Sequence, residues 1–281
     1  MRKTWIALAF LFIIIGAVGV VAYDFKLDQE KPAYSKTWTL EPAELTDLSY
    51  DSETAIHVQF VPSTDALSSI TLSGKMRQEN IDLLQTFSPK AGKLDIHLLK
   101  EPSRFLNLSF RTDKQEMIVK LSSKDALKVF SLNLHSGSIK VKGARAEEIS
   151  LITGSGSVTI AQLTANKAIF HSGSGSITAT DVVAETAIDA GSGRVSLKNL
   201  AGPSHVSVGS GSVRFVQAAE SGDSVNIETG SGSITFTSGA AFKGHYDLKS
   251  DSGSVHSPDT VPKSSAIVKI RSGSGSIKVK Q

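Results

Sequence analysis

From about residue 130 to the C-terminus, apolar residues recur in fixed phase with a short Gly/Ser motif. Its central glycine is Gly137, Gly156, Gly175, Gly193, Gly211, Gly232, Gly253 and Gly275, at steps of 19, 19, 18, 18, 21, 21 and 22 residues. Five residues before each glycine stand Leu132, Leu151, Phe170, Ile188, Val206, Ile227, Leu248 and Ile270, an unbroken apolar column. Two residues after it every copy has Ile or Val, from Ile139 to Ile277, and four after it the residue is apolar in all copies except Ser257. The positions between these columns are polar or mixed. A flexible Gly/Ser linker would show no such registration.

Alternation with period two predicts short strands with one buried face. Each repeat carries two of them around a glycine corner, and a weaker apolar spot seven residues after the glycine (Ala144, Leu163, Val182, Leu200, Ala218) predicts a third side in the earlier repeats. One repeat of about 20 residues buries too little on its own, but like positions stacked about 4.8 Å apart make a continuous core. The fold class expected is therefore all-β: a single-stranded parallel β-helix, or β-solenoid, of about eight glycine-cornered coils stacked in chain order. The glycines fit corners whose backbone angles disfavour a Cβ.

Upstream the alternation continues without the glycine signature. Residues 55–61, 69–73, 93–99 and 116–121 read as strands. Residues 76–87 read as a short helix with Ile81, Leu84 and Phe87 on one face. Residues 37–130 are expected to form either irregular β coils capping the core or a separate β-sandwich. The organisation expected is residues 1–23 as a transmembrane anchor, 24–36 as a linker, 37–130 as an N-terminal β region and 131–281 as the repeat domain. Arg2 and Lys3 precede an uncharged run from Thr4 to Tyr23, long enough to cross a bilayer with the basic end inside. Small residues at Val20 to Ala22 leave the alternative of a cleaved signal peptide. Either reading exports the remainder.

Composition narrows the chemistry. With no cysteine there is no disulfide, zinc-thiolate site or catalytic thiol, and a net charge of +3 from 30 basic and 27 acidic residues gives no nucleic-acid footprint. His135, His171, His205 and His245 fall at different repeat offsets, so no metal site is expected of them, and Asp189 and Asp251 read as isolated, solvated carboxylates. The Asp-bearing corners of a calcium roll are absent, as are Gly-x-Ser-x-Gly and Ser-x-x-Lys motifs and phosphate loops. No catalytic residue, metal or cofactor is expected. A carbohydrate-active enzyme, a polysaccharide lyase or glycosidase on a β-helix, is the alternative, and it would need paired carboxylates on one outer face.

With its N-terminal apolar segment, a strand running into Val61-Pro62-Ser63, the approach Val129 to Leu134 and recurring Ser-Gly-Ser-Ile/Val corners, the chain resembles the bacterial putative-adhesin family that includes LiaG-like membrane-anchored proteins. The family often has Asp after the corner glycine, where this chain has Ser or Arg194. The resemblance implies an exported β-solenoid linked to envelope stress or surface adhesion and supplies no catalytic residues. The function expected is a non-enzymatic protein of the bacterial cytoplasmic membrane, its N-terminus inside and its C-terminal domain outside. The interaction surface expected is the column three residues after the glycine: Lys140, Thr159, Thr178, Arg214, Thr235 and Lys278. Its partners would be the membrane through the N-terminal helix, and another envelope protein or an anionic wall polymer. The lysines admit a second reading, as guards against edge-to-edge pairing at the two ends of the stack.

Overall fold

The computed structural model describes residues 31–41, 45–63, 67–99, 114–121, 127–259 and 261–281. The apolar stretch expected to anchor the chain lies outside them, and among the described residues no helix is long and apolar enough to cross a membrane.

Strands pair in two parallel ladders. The first, in stacking order, runs Lys93–His97, Asp47–Ser52, Leu127–Leu134, Ala146–Thr153, the second half of Val158–Ser172, the second half of Ile177–Ser192, Ser204–Ser210, Val225–Ser231, Ile267–Ser274 and His245–Ser252. The second runs Lys114–Leu121, Ala55–Pro62, Ile139–Lys142, the first halves of the same two long strands, Val195–Ala201, Val213–Gln217, Ile234–Thr237, Ile277–Lys280 and Val255–His256. Each ladder thus has ten levels, eight of them carrying a glycine corner. The fold is the expected β-solenoid.

The columns read from sequence hold. Phe170 pairs with Leu151 on one side and Ile188 on the other. All three are buried, as are Ile139, Val158, Ile177, Val195, Val213, Ile234 and Ile277 in the facing ladder. A third side exists where it was expected, since Leu163 pairs with Val182 and Val182 with Leu200. Its corner is a column of left-handed residues, Gly143, Gln162, Asp181 and Asn199, with φ between 56° and 76°. Gly, Asp and Asn tolerate that conformation, and Asn199 Nδ2 donates to Asp181 Oδ1 at 2.6 Å across the coils. In the longer repeats Gln217 takes over this corner. Its amide donates to Ser221 Oγ at 3.1 Å and the Asp223 carbonyl at 3.0 Å, and accepts from Gly239 N–H at 3.2 Å, so it ties down the inserted loops.

The glycine corners have a different cause from the one expected at Gly156 and Gly175. Neither has a left-handed φ. A Cβ on Gly156 would lie 1.8 Å from the Gly137 carbonyl oxygen, and one on Gly175 would lie 2.0 Å from that of Gly156. Close approach of successive backbones excludes a side chain there. Beneath these glycines sit buried hydroxyls. Thr153 Oγ1 donates to the Gly137 carbonyl at 2.8 Å and accepts from Gly156 N–H at 3.1 Å, and Ser172 repeats the pattern one coil on. Thr153→Val keeps the shape and leaves both backbone groups unpaired. It should lower the unfolding free energy by about 1–3 kcal/mol, read as a lower urea midpoint at unchanged slope, with Thr153→Ser near wild type.

The order of stacking departs from expectation at both ends. The last winding, Ile267 to Lys280, does not lie outermost. It is inserted between the Val225–Thr237 level and the His245–His256 level, which precedes it in sequence. At the other end the Asp47–Pro62 winding lies between the level of Lys93–His97 and Lys114–Leu121 and that of Leu127–Lys142. Beyond Lys114–Leu121, Ser68–Lys75 and then Ala33–Leu40 extend the second ladder with antiparallel pairings. The helix Gln78–Thr86 packs here through buried Leu84. Lys36 Nζ donates to the Leu84 and Gln85 carbonyls, both at 3.1 Å, satisfying the helix C-terminus.

Candidate interaction face

The expected interaction residues form one line. Lys140 pairs with Thr159, Thr159 with Thr178, Thr178 with Ser196, Ser196 with Arg214, Arg214 with Thr235 and Thr235 with Lys278. All six point outward because the residues flanking them in each strand, such as Val158 and Ile160 around Thr159, are buried. Two residues further along each strand runs a parallel column that sequence reasoning passed over: Gln59, Lys142, Ala161, Thr180, Lys198, Val216, Thr237 and Lys280. In it a lysine recurs every third coil, about 14 Å apart at the usual strand spacing. Its signal was present in the sequence as Lys-Val-Lys at Lys140 to Lys142 and Lys278 to Lys280.

From the Ala55–Pro62 strand to the Ile277–Lys280 strand these two columns hold Lys140, Lys142, Lys198, Arg214, Lys278, Lys280 and His57, hydroxyl residues, and no carboxylate. The nearest acid in line is Glu116, opposite His57 on the next strand. Among the described residues none of the six cations makes an ion pair. No carboxylate among the described residues is paired with them.

The other ladder shows the contrast. Several of its outward acids lie beside a basic side chain: Lys93 with Asp47 at 2.9 Å, His97 with Asp95 at 2.9 Å, His171 Nδ1 with Asp189 Oδ2 at 3.0 Å, Lys249 with Asp251 at 3.2 Å and Arg271 with Asp247 at 2.5 Å. Asn133 Nδ2 donates to Asp51 Oδ2 at 3.0 Å. Asp189 and Asp251 are thus not isolated, as the sequence reading had them. Stacking in register brings Asp189 opposite His171, whereas Asp251 meets Lys249 two residues before it on its own strand. The Arg271 guanidinium beside Asp247 holds that carboxyl below its ordinary range.

The edge-guard reading does not hold for Lys140, Lys142 and Lys278, whereas among the described residues Lys280 has a ladder partner, Thr237, on one side only. Lys140 and Lys142 have neighbouring strands on both sides, Ala55–Pro62 and Val158–Ser172, and Lys278 lies between Thr235 and His256. A surface depression of about 380 Å³ beside the glycine corners is lined by Ser207, Glu228, Thr229 and Arg271 among others, with Glu228 its one carboxylate. Glycosidic bond cleavage asks for two. Among the described residues no group of three His, Asp or Glu side chains could hold a metal ion.

The signature of the family described as Toastrack DUF4097 matches residues 45–281. The chain is similar to the crystal structure of a putative adhesin from Bacteroides fragilis, at 14% identity and a TM-score of 0.52, over 89% of this chain and 97% of the other. It is also similar to a putative adhesin from Parabacteroides distasonis, at 15% identity, a TM-score of 0.43 and coverage of 88% and 97%. A putative lipid binding protein from the same organism is similar at 14% identity and a TM-score of 0.46, with coverage of 90% and 99%. No curated protein matches the chain. The first of these likenesses reaches the level at which a shared fold is meaningful.

Proposed function

Because the chain belongs to the Toastrack DUF4097 family, we propose that it is a non-enzymatic cell-surface protein whose outward cationic face holds an anionic polymer of the cell envelope. Residues 4–23 anchor it in the cytoplasmic membrane, and the solenoid stands outside as a rigid display for that face. The resemblance of the sequence to exported adhesin-like proteins, and the putative adhesin among its structural neighbours, support this placement. A role in adhesion or in envelope-stress responses fits the same surface.

The observation that carries the reading is the segregation of charge. Six cations, five of them with ladder partners on both sides, stand on two columns without carboxylates, while several acids of the opposite ladder lie beside a basic side chain. A flat array of Lys and Thr suits an extended chain of phosphates or carboxylates. Lysine and arginine supply the attraction, and the hydroxyls between them donate hydrogen bonds to the same oxygens.

Purified full-length chain should bind poly(glycerol phosphate) and ignore neutral dextran, with affinity falling steeply as salt rises. Replacing Lys142, Lys198 and Lys280 together by Glu should weaken binding at least about tenfold, roughly 1.4 kcal/mol, without moving the thermal midpoint. Equal binding by the triple variant would refute the assignment of the face. Release of sugar from a panel of envelope glycans would move the protein to the enzyme class instead.

A further inference from the structure

The level formed by His245–Ser252 and Val255–His256 is the end of the stack, and it differs from all the others. Among the described residues His245–Ser252 pairs with one strand only, Ile267–Ser274, and Val255–His256 with Ile277–Lys280 only. Val255 occupies the position two after the glycine, which is at most 2% exposed in the other seven copies, yet it is 42% exposed. Leu248 and Tyr246 are only partly buried, while Leu132, Leu151, Phe170, Val206, Ile227 and Ile270 in the Leu248 column are fully buried. Apolar side chains and a row of backbone groups therefore face outward together at this end.

The edge has a defined polarity. His245 N–H points into the stack, toward the Ala266 carbonyl at 3.1 Å. By the alternation of a strand, the N–H and C=O groups of Tyr246, Leu248 and Ser250 point away from it. The sequence around Leu248 reads His245-Tyr246-Asp247-Leu248-Lys249-Ser250-Asp251. Turned about an axis through Leu248 and laid antiparallel on itself, this strand places Asp247 opposite Lys249 of a copy, Lys249 opposite Asp247, and His245 opposite Asp251. Leu248 meets Leu248, and Tyr246 meets Ser250. The backbone pairs at 246, 248 and 250 are the ones whose hydrogen-bonding groups are free, so charge register and backbone register coincide. Edges that avoid pairing carry charges with no partner on the approaching strand, often lysines. This one carries signs that match when it meets itself.

We propose that the occupant of this end is a second copy of the same chain. The two His245–Ser252 strands pair antiparallel about a twofold axis at Leu248, joining two solenoids end to end into one longer sheet. The arrangement covers Val255 and Leu248 and adds Asp247–Lys249 pairs on both sides of the axis. Asp247 already accepts from Arg271 Nη2 at 2.5 Å, so its carboxylate is oriented before the copy arrives. The proposal is independent of polyanion binding, which uses the other ladder's outer face.

Two experiments on the full-length chain in mild detergent test it. The chain has no cysteine, so Leu248→Cys introduces a lone thiol on the proposed axis. There the two Cα atoms sit about 5.5 Å apart, inside the range of about 4.4–6.8 Å that a disulfide spans. Oxidation should give a covalent dimer of the chain, while Lys269→Cys, one strand further in, should not. Lys249→Asp and Asp247→Lys each put like charges opposite one another twice per dimer and should each raise the dimer dissociation constant at least tenfold by sedimentation. Mixed in equal amounts, the two variants should restore the dimer as a heterodimer, an outcome that a folding defect in either could not produce. Absence of the Leu248→Cys dimer, failure of the mixture to restore association, or crosslinking of that thiol to a foreign protein in intact cells would each overturn the proposal.

Discussion

Gly156→Ala should lower the unfolding free energy by about 4 kcal/mol or more, the range reserved for a specific structural lesion. The added methyl would lie 1.8 Å from the Gly137 carbonyl oxygen and 2.8 Å from Ser138 N, both backbone atoms and both closer than the 3.0 Å that real Cβ atoms respect. Neither neighbour can swing away. Relief requires that two coils separate where the Thr153 hydroxyl also bridges them, so the change strains backbone and breaks hydrogen bonds together. Gly222→Ala is the matched control, because its Cβ would meet nothing nearer than the Ala241 carbonyl at 3.5 Å. It should stay within about 0.5 kcal/mol of wild type. Urea unfolding of the two variants side by side measures the difference, and equal midpoints would show that the coils are not in this register.

Val213→Asp should cost roughly 3–5 kcal/mol, the scale of an uncompensated charge in a dry interior. Val213 is 2% exposed and lies between Val195 and Ile234 in the ladder, so the carboxylate meets aliphatic groups above and below. Ile188→Asp, between Phe170 and Val206, should behave alike in the facing ladder. Arg214→Ser, one residue along and exposed, should leave the thermal midpoint within a degree or two, since an exposed substitution changes stability by no more than about 0.5 kcal/mol. Differential scanning calorimetry separates the classes, and similar midpoints for Val213→Asp and Arg214→Ser would remove the distinction between inner and outer columns.

What could be read from sequence was whatever repeats at a fixed offset. The Leu132 to Ile270 column, the Ile/Val after each corner and the outward line from Lys140 to Lys278 are all properties of one repeat copied. They survive any permutation of the coils. The order of stacking is not such a property, because the columns read the same in sequence whichever coil lies next. One clue was present: the Asp251 to Ser257 copy has Asp in place of the first corner glycine and Ser257 in an otherwise apolar column, as a coil with one wet side would. The left-handed corner was half legible. Asp181 and Asn199 belong to residue types that accept a positive φ, whereas Gln162 takes it only because its neighbours in the stack do. The pairing of Asp189 with His171 was invisible while the four histidines were compared only with each other. Opposite partners in a ladder share an offset but not a residue type.

The displaced last winding bears on how the molecule is completed. A ribosome delivers His245 to His256 before Ile267 to Lys280, yet the earlier segment has no strand to rest on until the later one arrives. That end of the stack stays unfinished until Ile267 to Lys280 is in place, and this winding acts as a keystone slid into a waiting gap. A chain cut short by a premature stop near residue 265 would forfeit two levels, not one, and would present the Val225–Ser231 edge raw to its surroundings.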